Sequence, residues 1–191
     1  MAEPQEPPIW EVIREGSAGG GPGDRRLIGR AQLADAKAFA ALRRPLFPIY
    51  GLPPTRPGRR YIRGWRQTED LVTAVELAVL EERTDTLVVV SSSPRRPWDN
   101  LSTDEEALRQ LVTEVASTPE DLLNHDLDRR SLVLRIGENL VTFSCAVHGR
   151  ISVLWSLHGP GILVQGRNVP PEAIELVALA DAGPYLEGLV P

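Results

Sequence analysis

Apolar and polar residues alternate along the C-terminal third of the chain, the pattern typical of strands that bury one face. The Gly-Glu pair at 137–138 suits a two-residue type II′ turn, which favours glycine at its first central position. With this turn, Leu134 pairs with Val141 and Leu132 pairs with Phe143. The pattern therefore predicts a β-hairpin with one apolar face.

Two further turns extend this hairpin into a four-stranded β-meander. A three-residue turn at 148–150 pairs Phe143 with Trp155, and a turn at 158–161 pairs Trp155 with Val164. Side chains alternate between the two faces of a strand, so three turns that agree on one apolar face define the register. The other face is expected to be solvated, and its polar residues are Thr142, Ser144, Ser152 and Ser156.

The N-terminal half combines helical and strand patterns. Thr68 has the features of a helix N-cap, and the apolar spacing after it predicts a helix that ends near Arg83. A continuous apolar run then predicts a fully buried strand at Thr86–Val90. An alanine-rich segment that ends before a proline predicts another helix at Leu33–Arg44. The residues at helical spacing after the N-cap are Leu71, Val75 and Ala78.

Local signals predict the remaining elements. Ser102 and Glu105 match the S-x-x-E pattern of a capping box, which predicts a helix that begins there. Thr118 followed by Pro119 predicts a short helix with proline in its first turn. The other predicted elements are strands at Ile9–Arg14, around Leu27, at Leu46–Tyr50 and at Ile174–Leu179, and a closing helical turn at Pro184–Leu189.

These elements together predict an α+β fold. The expected architecture is an N-terminal α/β lobe of mixed strands and helices over residues 9–98, followed by a C-terminal lobe over residues 99–191. In the second lobe the antiparallel β-meander packs against helices. Residues 1–8, rich in proline and glutamate, are expected to form a flexible tail. One continuous domain over residues 9–191 is the alternative.

Composition narrows the class of protein. The chain has 191 residues, of which 42% are hydrophobic and 25% are charged, as in ordinary globular proteins. Its basic residues are 20 arginines and one lysine, a bias that fits a GC-rich bacterial genome. A single cysteine excludes an intramolecular disulfide, and the sequence has neither a secretory signal pattern nor an apolar run long enough to span a membrane. We therefore expect a soluble cytoplasmic protein without membrane contact.

Charge is distributed unevenly along the chain. Residues 24–66 contain 11 basic and two acidic residues, whereas residues 68–128 contain 15 acidic and four basic ones. Within the basic part, arginines interleave with aromatic residues, a pattern that can bind an acidic surface or stack a nucleotide base. Trp98, in a proline-rich break, is a second candidate anchor. The candidate binding residues are Arg59, Arg60, Tyr61, Arg63, Trp65, Arg66 and Trp98. The alternative is that these side chains pack or form ion pairs within their own fold.

The residues that carry catalysis or bind metals do not form a recognisable pattern. Cys145 and His148 are three residues apart, so on a strand their side chains point to opposite faces. His158 and His148 lie in successive turns at opposite ends of the predicted sheet. His125 and its neighbouring aspartates match no metal-ligand spacing, and the glycine-rich stretch 16–23 lacks the Lys-Ser/Thr of a phosphate-binding loop. The sequence therefore predicts no catalytic residue, no metal and no cofactor.

These observations favour a non-catalytic protein-binding module, such as an adaptor, a regulator or a toxin-neutralising partner. Its arginine-rich surface would contact an acidic protein surface or a second copy of the chain. One alternative is a small hydrolase or transferase that depends on Cys145 or a histidine. Another is weak binding of single-stranded nucleic acid through residues 59–66, although the net charge of −5 disfavours this class of partner.

Overall fold

The computed structural model describes residues 12–13, 24–27, 42–68, 71–123 and 126–186, with the backbone alone described at 12–13, 24–27, 66–68 and 71. The predicted tail 1–8 and the predicted helix Leu33–Arg44, apart from its last residues, lie outside the described residues. So do His125 and the end of the predicted helical turn Pro184–Leu189.

Eleven strands are described, and they form two sheets. In chain order they are β1 (Val12–Ile13), β2 (Asp24–Leu27), β3 (Ile49–Gly51), β4 (Arg59–Thr68), β5 (Leu71–Glu81), β6 (Thr86–Ser93), β7 (Asp128–Ile136), β8 (Asn139–His148), β9 (Ile151–Ser156), β10 (Gly161–Arg167) and β11 (Val177–Leu179). The main sheet has nine strands in the order β1-β2-β4-β5-β6-β10-β9-β8-β7, and β3 pairs with β11 in the second sheet. All these strand pairs are antiparallel.

The central strands of the main sheet are buried on both faces. All eight residues of β6, all seven of β10 and all six of β9 are buried. Since alternate side chains of a strand point to opposite faces, such strands need a covering layer on each side. The predicted buried strand Thr86–Val90 is confirmed as part of β6.

The small sheet and the short helix α2 (Gly183–Leu186) cover the first face. The backbone amide of Leu52 donates a hydrogen bond to the hydroxyl of the buried Tyr185 in α2 (3.0 Å). The amide of Tyr50 in β3 donates to Oγ of Ser92 in β6 (2.9 Å), which ties the two sheets together. The larger hydrophobic cluster lies between these layers and includes Ile62, Leu77, Val90, Phe143 and Val164.

Helix α1 (Glu105–Thr113) covers the second face, where Leu108 and Val112 pack against β9 and its neighbours. Asp104 is its N-cap, because the Asp104 carboxylate accepts a hydrogen bond from the amide of Ala107 (2.9 Å). The predicted capping box at Ser102 is therefore wrong. The chain still turns at that point, since the amides of Thr103 and Asp104 both donate hydrogen bonds to the carbonyl oxygen of Asn100. The predicted helix at Pro119 is confirmed as a 3-10 turn, Pro119–Leu122.

The predicted α+β fold with an N-terminal α/β lobe is wrong. The described residues form mainly strands in two antiparallel sheets, with only two α-helices among them. Strands on both sides of residue 98 share the main sheet, because β6 pairs with β10. The meander therefore continues that sheet and is not a lobe packed against helices. Among the described residues, no helix is long and apolar enough to cross a membrane.

The largest error concerns residues 71–81, which form β5 where the pattern predicts a helix. Val75 and Leu77 belong to the cluster on the first face, whereas Ala78 belongs to the cluster on the second. Because both faces of β5 are buried, apolar residues occupy most of its positions, and some of them coincide with helical spacing. The β-branched residues in this segment also favour a strand.

The meander has the predicted strands but not the predicted pairing of β9. The register of β7 with β8 is confirmed, and Phe143 and Cys145 are buried as predicted. However, β8 and β9 are joined by two residues, Gly149 and Arg150, so Cys145 pairs with Leu154.

The pairing of β9 with β10 is also shifted by one residue, because Trp155 pairs with Leu163. The two shifts add to a displacement of two residues between β8 and β10, which leaves the facing of β10 unchanged, so β9 alone presents the opposite face. Its residues Ile151, Val153 and Trp155 face α1. The predicted solvated face is therefore wrong as well, since Ser152 and Ser156 are buried.

Gly161 tests the close packing of β10 against β6. A Cβ atom at this position would overlap the carbonyl oxygens of Ser93 and Arg95, which belong to the backbone and cannot rotate away. We expect Gly161→Ala to lower the free energy of unfolding by about 3 kcal/mol, measured by urea denaturation. Gly159→Ala is the matched control, because its Cβ meets open space and only its φ of +73° opposes the change, at about 1 kcal/mol. Equal losses in the two variants would contradict the described packing.

Candidate functional site

A group of basic side chains lies where β4 begins. The proline-rich loop 53–58 leads into this strand, and three arginines lie within or beside it: Arg56, Arg59 and Arg60. We name these arginines, together with Tyr61, the basic loop surface. Arg59, Arg60 and Tyr61 were predicted as binding residues, and Arg56 was not.

Arg60 holds the loop in place. Its Nη2 atom donates hydrogen bonds to the carbonyl oxygens of Pro53 (2.6 Å) and Arg56 (3.0 Å). Its guanidinium carbon lies 5.9 Å from the centroid of the Tyr185 ring. The amide of Arg56 also donates to the Pro53 carbonyl (3.0 Å), which closes the turn. These contacts define the conformation of the loop without using the side chains of Arg56 and Arg59.

Gly58 allows the loop to pass close to β5. Its φ of +126° lies in the region that favours glycine. A Cβ atom there would also lie 2.8 Å from Cγ1 of Val79. The loop therefore packs directly on the sheet.

Arg56 and Arg59 are held less firmly than Arg60 within the described residues. The side chain of Arg59 is 64% exposed, and its guanidinium carbon lies 5.7 Å from the centroid of the Tyr61 ring. Its ion pair with Glu82 is long, at 4.0 Å, and such exposed pairs contribute little. Within the described residues, the Arg56 side chain makes no hydrogen bond or ion pair, and it lines a cleft of about 200 Å³ together with Glu175.

The other predicted binding residues lie elsewhere. Arg63 faces α1, where it donates to the carbonyl oxygen of Glu114 (3.1 Å). Trp65 is only 1% exposed in the cluster on the first face, and Trp98 is buried in the cluster beneath α1. The side chain of Arg66 lies outside the described part of the chain. A role for these residues in binding stays a prediction, and both tryptophans are enclosed in the folded protein.

A second polar group at the same end of the sheet has no counterpart in the sequence analysis. Arg150 donates to Oδ2 of Asp85 (3.1 Å) and to Oδ2 of Asp121 (2.9 Å), and Arg167 donates to Oδ1 of Asp85 (2.6 Å). The hydroxyl of Ser117 donates to Asp85 and accepts from Arg150. We name these five residues the ionic cluster. Its ion pairs join residues that are 29 to 82 positions apart, so no local pattern could have predicted it.

The ionic cluster keeps its two carboxylates charged. The hydrogen bond from Arg150 holds the pKa of Asp121 well below its usual range, although burial acts in the opposite direction. Burial also acts to raise the pKa of Asp85, but hydrogen bonds from Ser117 and Arg167 outweigh it and lower this pKa. The cluster connects the β5–β6 turn, the 3-10 turn, the β8–β9 turn and the end of β10. It is therefore a structural clamp for that end of the sheet.

Cys145 has the surroundings of a structural cysteine. Its side chain is 1% exposed, and burial raises the pKa of its thiol to about 11. A nucleophilic cysteine instead needs a stabilised thiolate. His148 is buried at the end of β8, three residues away on the same strand, and His158 is exposed in the β9–β10 loop. Within the described ranges, no three His, Cys, Asp or Glu side chains converge on a metal site.

Comparison with known proteins adds no assignment. No family model, no curated protein sequence and no solved structure matches this chain.

The ionic cluster predicts a specific effect of Arg150. We expect Arg150→Met to lower the free energy of unfolding at pH 7 by about 2 kcal/mol, because it leaves the almost fully buried Asp121 without its cation. Arg109→Met is the control, since Arg109 forms an exposed pair with Glu105 within α1 and its loss costs about 0.5 kcal/mol.

The difference in the free energy of unfolding between Arg150→Met and Arg109→Met depends on pH. Both Asp85 and Asp121 have lowered pKa values in the folded state, so their contribution is complete above about pH 4 and is lost as pH falls through the folded values. Urea denaturation at pH 7 and pH 3 measures this contribution. The loss of unfolding free energy caused by Arg150→Met, relative to the wild type, should be smaller at pH 3. Equal effects of the two substitutions at pH 7 would refute the clamp.

Proposed function

We propose that this protein is a non-catalytic binding module that presents the basic loop surface to an acidic surface of another protein. The observation that carries the proposal is a division of roles among the arginines. Arg60 is committed to holding the loop, whereas Arg59 is largely exposed and Arg56 has no polar partner in the described part of the chain. Arg56 and Arg59 would contact carboxylates of the partner.

The loop geometry favours binding because it is already formed. Ordering a flexible loop on association costs free energy, and a loop held by internal hydrogen bonds avoids much of this cost. Arginine is also enriched among the residues that dominate binding energy, and its planar guanidinium can pair with a carboxylate through two hydrogen bonds. The partner is therefore expected to expose aspartate or glutamate side chains. We further propose that the protein acts in the cytoplasm, in keeping with its single buried thiol.

A protein partner is better supported than nucleic acid. Single-strand binding proteins stack successive bases on exposed aromatic side chains. In β4, Trp65 is buried and Tyr61 is partly buried beneath Arg59, so the described residues of this strand offer no stacking platform. The ratio of 26 acidic to 21 basic residues also opposes binding to a polyanion.

A cysteine- or histidine-dependent hydrolase is also less well supported. The thiol of Cys145 is enclosed between strands, and its raised pKa leaves almost no thiolate at neutral pH. No feature of the described residues favours this second function over the first.

The proposal is tested by the double substitution Arg56→Glu with Arg59→Glu. Arg60 is left unchanged so that the loop keeps its conformation. Affinity capture from lysate of the source organism, followed by mass spectrometry, compares this variant with the wild type. We expect the captured amount of the proteins that the wild type binds to fall at least about tenfold with the variant, because two charge-assisted contacts become repulsive.

The matched control carries the same charge change elsewhere, as Arg95→Glu with Arg109→Glu. Arg95 is exposed at the opposite end of the strands, and Arg109 lies on the surface of α1. The proposal requires this control to capture the same proteins as the wild type. Equal losses in the two double variants, or no loss in either, would remove the basic loop surface as the site.

A further inference from the structure

The cleft beside the basic loop surface carries charges of both signs. Leu52, Pro53 and Pro57 supply the apolar part of its lining, and Arg56 and Glu175 supply one charge each. Its volume is about 200 Å³. A cavity of roughly 150 Å³ is large enough to hold benzene, so this cleft has room for one large side chain of a ligand.

The pairing of β3 with β11 brings Glu175 to the cleft. Val177 pairs with Gly51 in an antiparallel register. The same register, continued by two residues along each strand, sets Glu175 opposite Pro53. This position agrees with the presence of both residues in the lining of the cleft. Glu175 therefore reaches the basic loop through the small sheet, and no local sequence pattern indicates it.

The two charges line one cleft without pairing with each other. The Glu175 side chain is exposed and the Arg56 side chain is half-buried. Within the described part of the chain, neither side chain forms an ion pair or a hydrogen bond. Other exposed acids do pair, as Glu82 does with Arg59 and Glu172 does with Arg130. A ligand that carries the reversed pair of charges would give both Arg56 and Glu175 a counter-charge.

The walls of the cleft are held in one conformation. Prolines at 53, 54 and 57 fix the backbone φ angle at three positions of the loop. The turn from Pro53 to Arg56 is closed by a backbone hydrogen bond (3.0 Å), and the amide of Leu52 donates to the hydroxyl of Tyr185 (3.0 Å). A ligand therefore binds without having to order this loop.

A segment that is acidic throughout fits this cleft poorly. A carboxylate that approaches Arg56 also approaches Glu175, and a like-charge contact is unfavourable. A basic side chain of the ligand placed at Glu175 turns this repulsion into an attraction. Specificity of this kind depends on a repulsive contact with the wrong ligand as well as on an attractive contact with the right one.

We propose that the cleft binds a protein segment in which an apolar side chain lies between one acidic and one basic side chain. The carboxylate of the segment pairs with Arg56, its basic side chain pairs with Glu175, and its apolar side chain packs on Pro53 and Pro57. This inference rests on the proposed function and narrows the partner from an acidic surface to a segment of mixed charge. Glu175 is the residue that rejects segments that are acidic throughout.

Selection from a phage-displayed library of random short peptides, with the full chain immobilised, tests this arrangement. Peptides bound by the wild type should be enriched in acidic, apolar and basic residues together. With Glu175→Gln the basic enrichment should disappear and the acidic enrichment should stay, whereas with Arg56→Gln the acidic enrichment should fall. Glu106→Gln is the matched control, because Glu106 is exposed on α1 at the other face of the main sheet, and it should select the same peptides as the wild type.

The outcomes separate this inference from the proposed function. Acidic enrichment without basic enrichment in the wild type overturns the role of Glu175 and leaves the proposed function standing. The same basic enrichment with Glu175→Gln as with the wild type does so too. Peptides without acidic enrichment, or no bound peptides, contradict both proposals. Circular dichroism confirms that each variant folds.

Exchange of charges tests the contact with Glu175 directly. A selected peptide labelled with fluorescein should bind Glu175→Lys at least about tenfold more weakly than it binds the wild type, measured by fluorescence anisotropy, because a like-charge contact forms. The same peptide with its basic residue replaced by glutamate should show the opposite preference and bind Glu175→Lys more tightly than the wild type. If Glu175→Lys binds both peptides more weakly, the proposed contact is refuted.

Discussion

Burial of the central strands on both faces is the constraint on which the rest of this structure depends. β6, β9 and β10 expose no residue on either side, so the sheet is stable only between two covering layers. The small β3–β11 sheet with α2 forms one layer, and α1 forms the other. Close packing on both sides leaves no room for a site among the described residues of these central strands.

The two ends of the strands carry different groups of side chains. At one end, the ionic cluster fixes several turns, and Arg60 fixes the loop before β4, so that Arg56 and Arg59 stand on a firmly held base. At the other end, the β7–β8 hairpin extends beyond the cover of α1 and exposes Val133 and Leu140. We propose that the first surface binds an acidic partner.

Sequence patterns predicted the elements that bury one face better than those that bury two. The β7–β8 hairpin has a clean alternation and a glycine turn, and its register was correct. In β5 and β9 both faces are buried, so alternation no longer reports which side is which, and the spacing in β5 also matches a helix. Arg59, Arg60 and Tyr61 could be identified because they are adjacent in sequence. The Arg63 side chain contacts Glu114 at the end of α1, and the ionic cluster joins turns that are distant in sequence, so neither contact follows from a local pattern.

The fold depends most on residues 71–81 being a central strand that is covered on both sides. Native-state hydrogen exchange followed by NMR tests this directly. Backbone amides of β5, β6, β9 and β10 should exchange slowest of all and at one common rate, because they open only when the whole sheet unfolds. Secondary chemical shifts for residues 71–81 should be those of a strand. Helical shifts for this segment, or exchange there that is faster than in α1, would contradict the account.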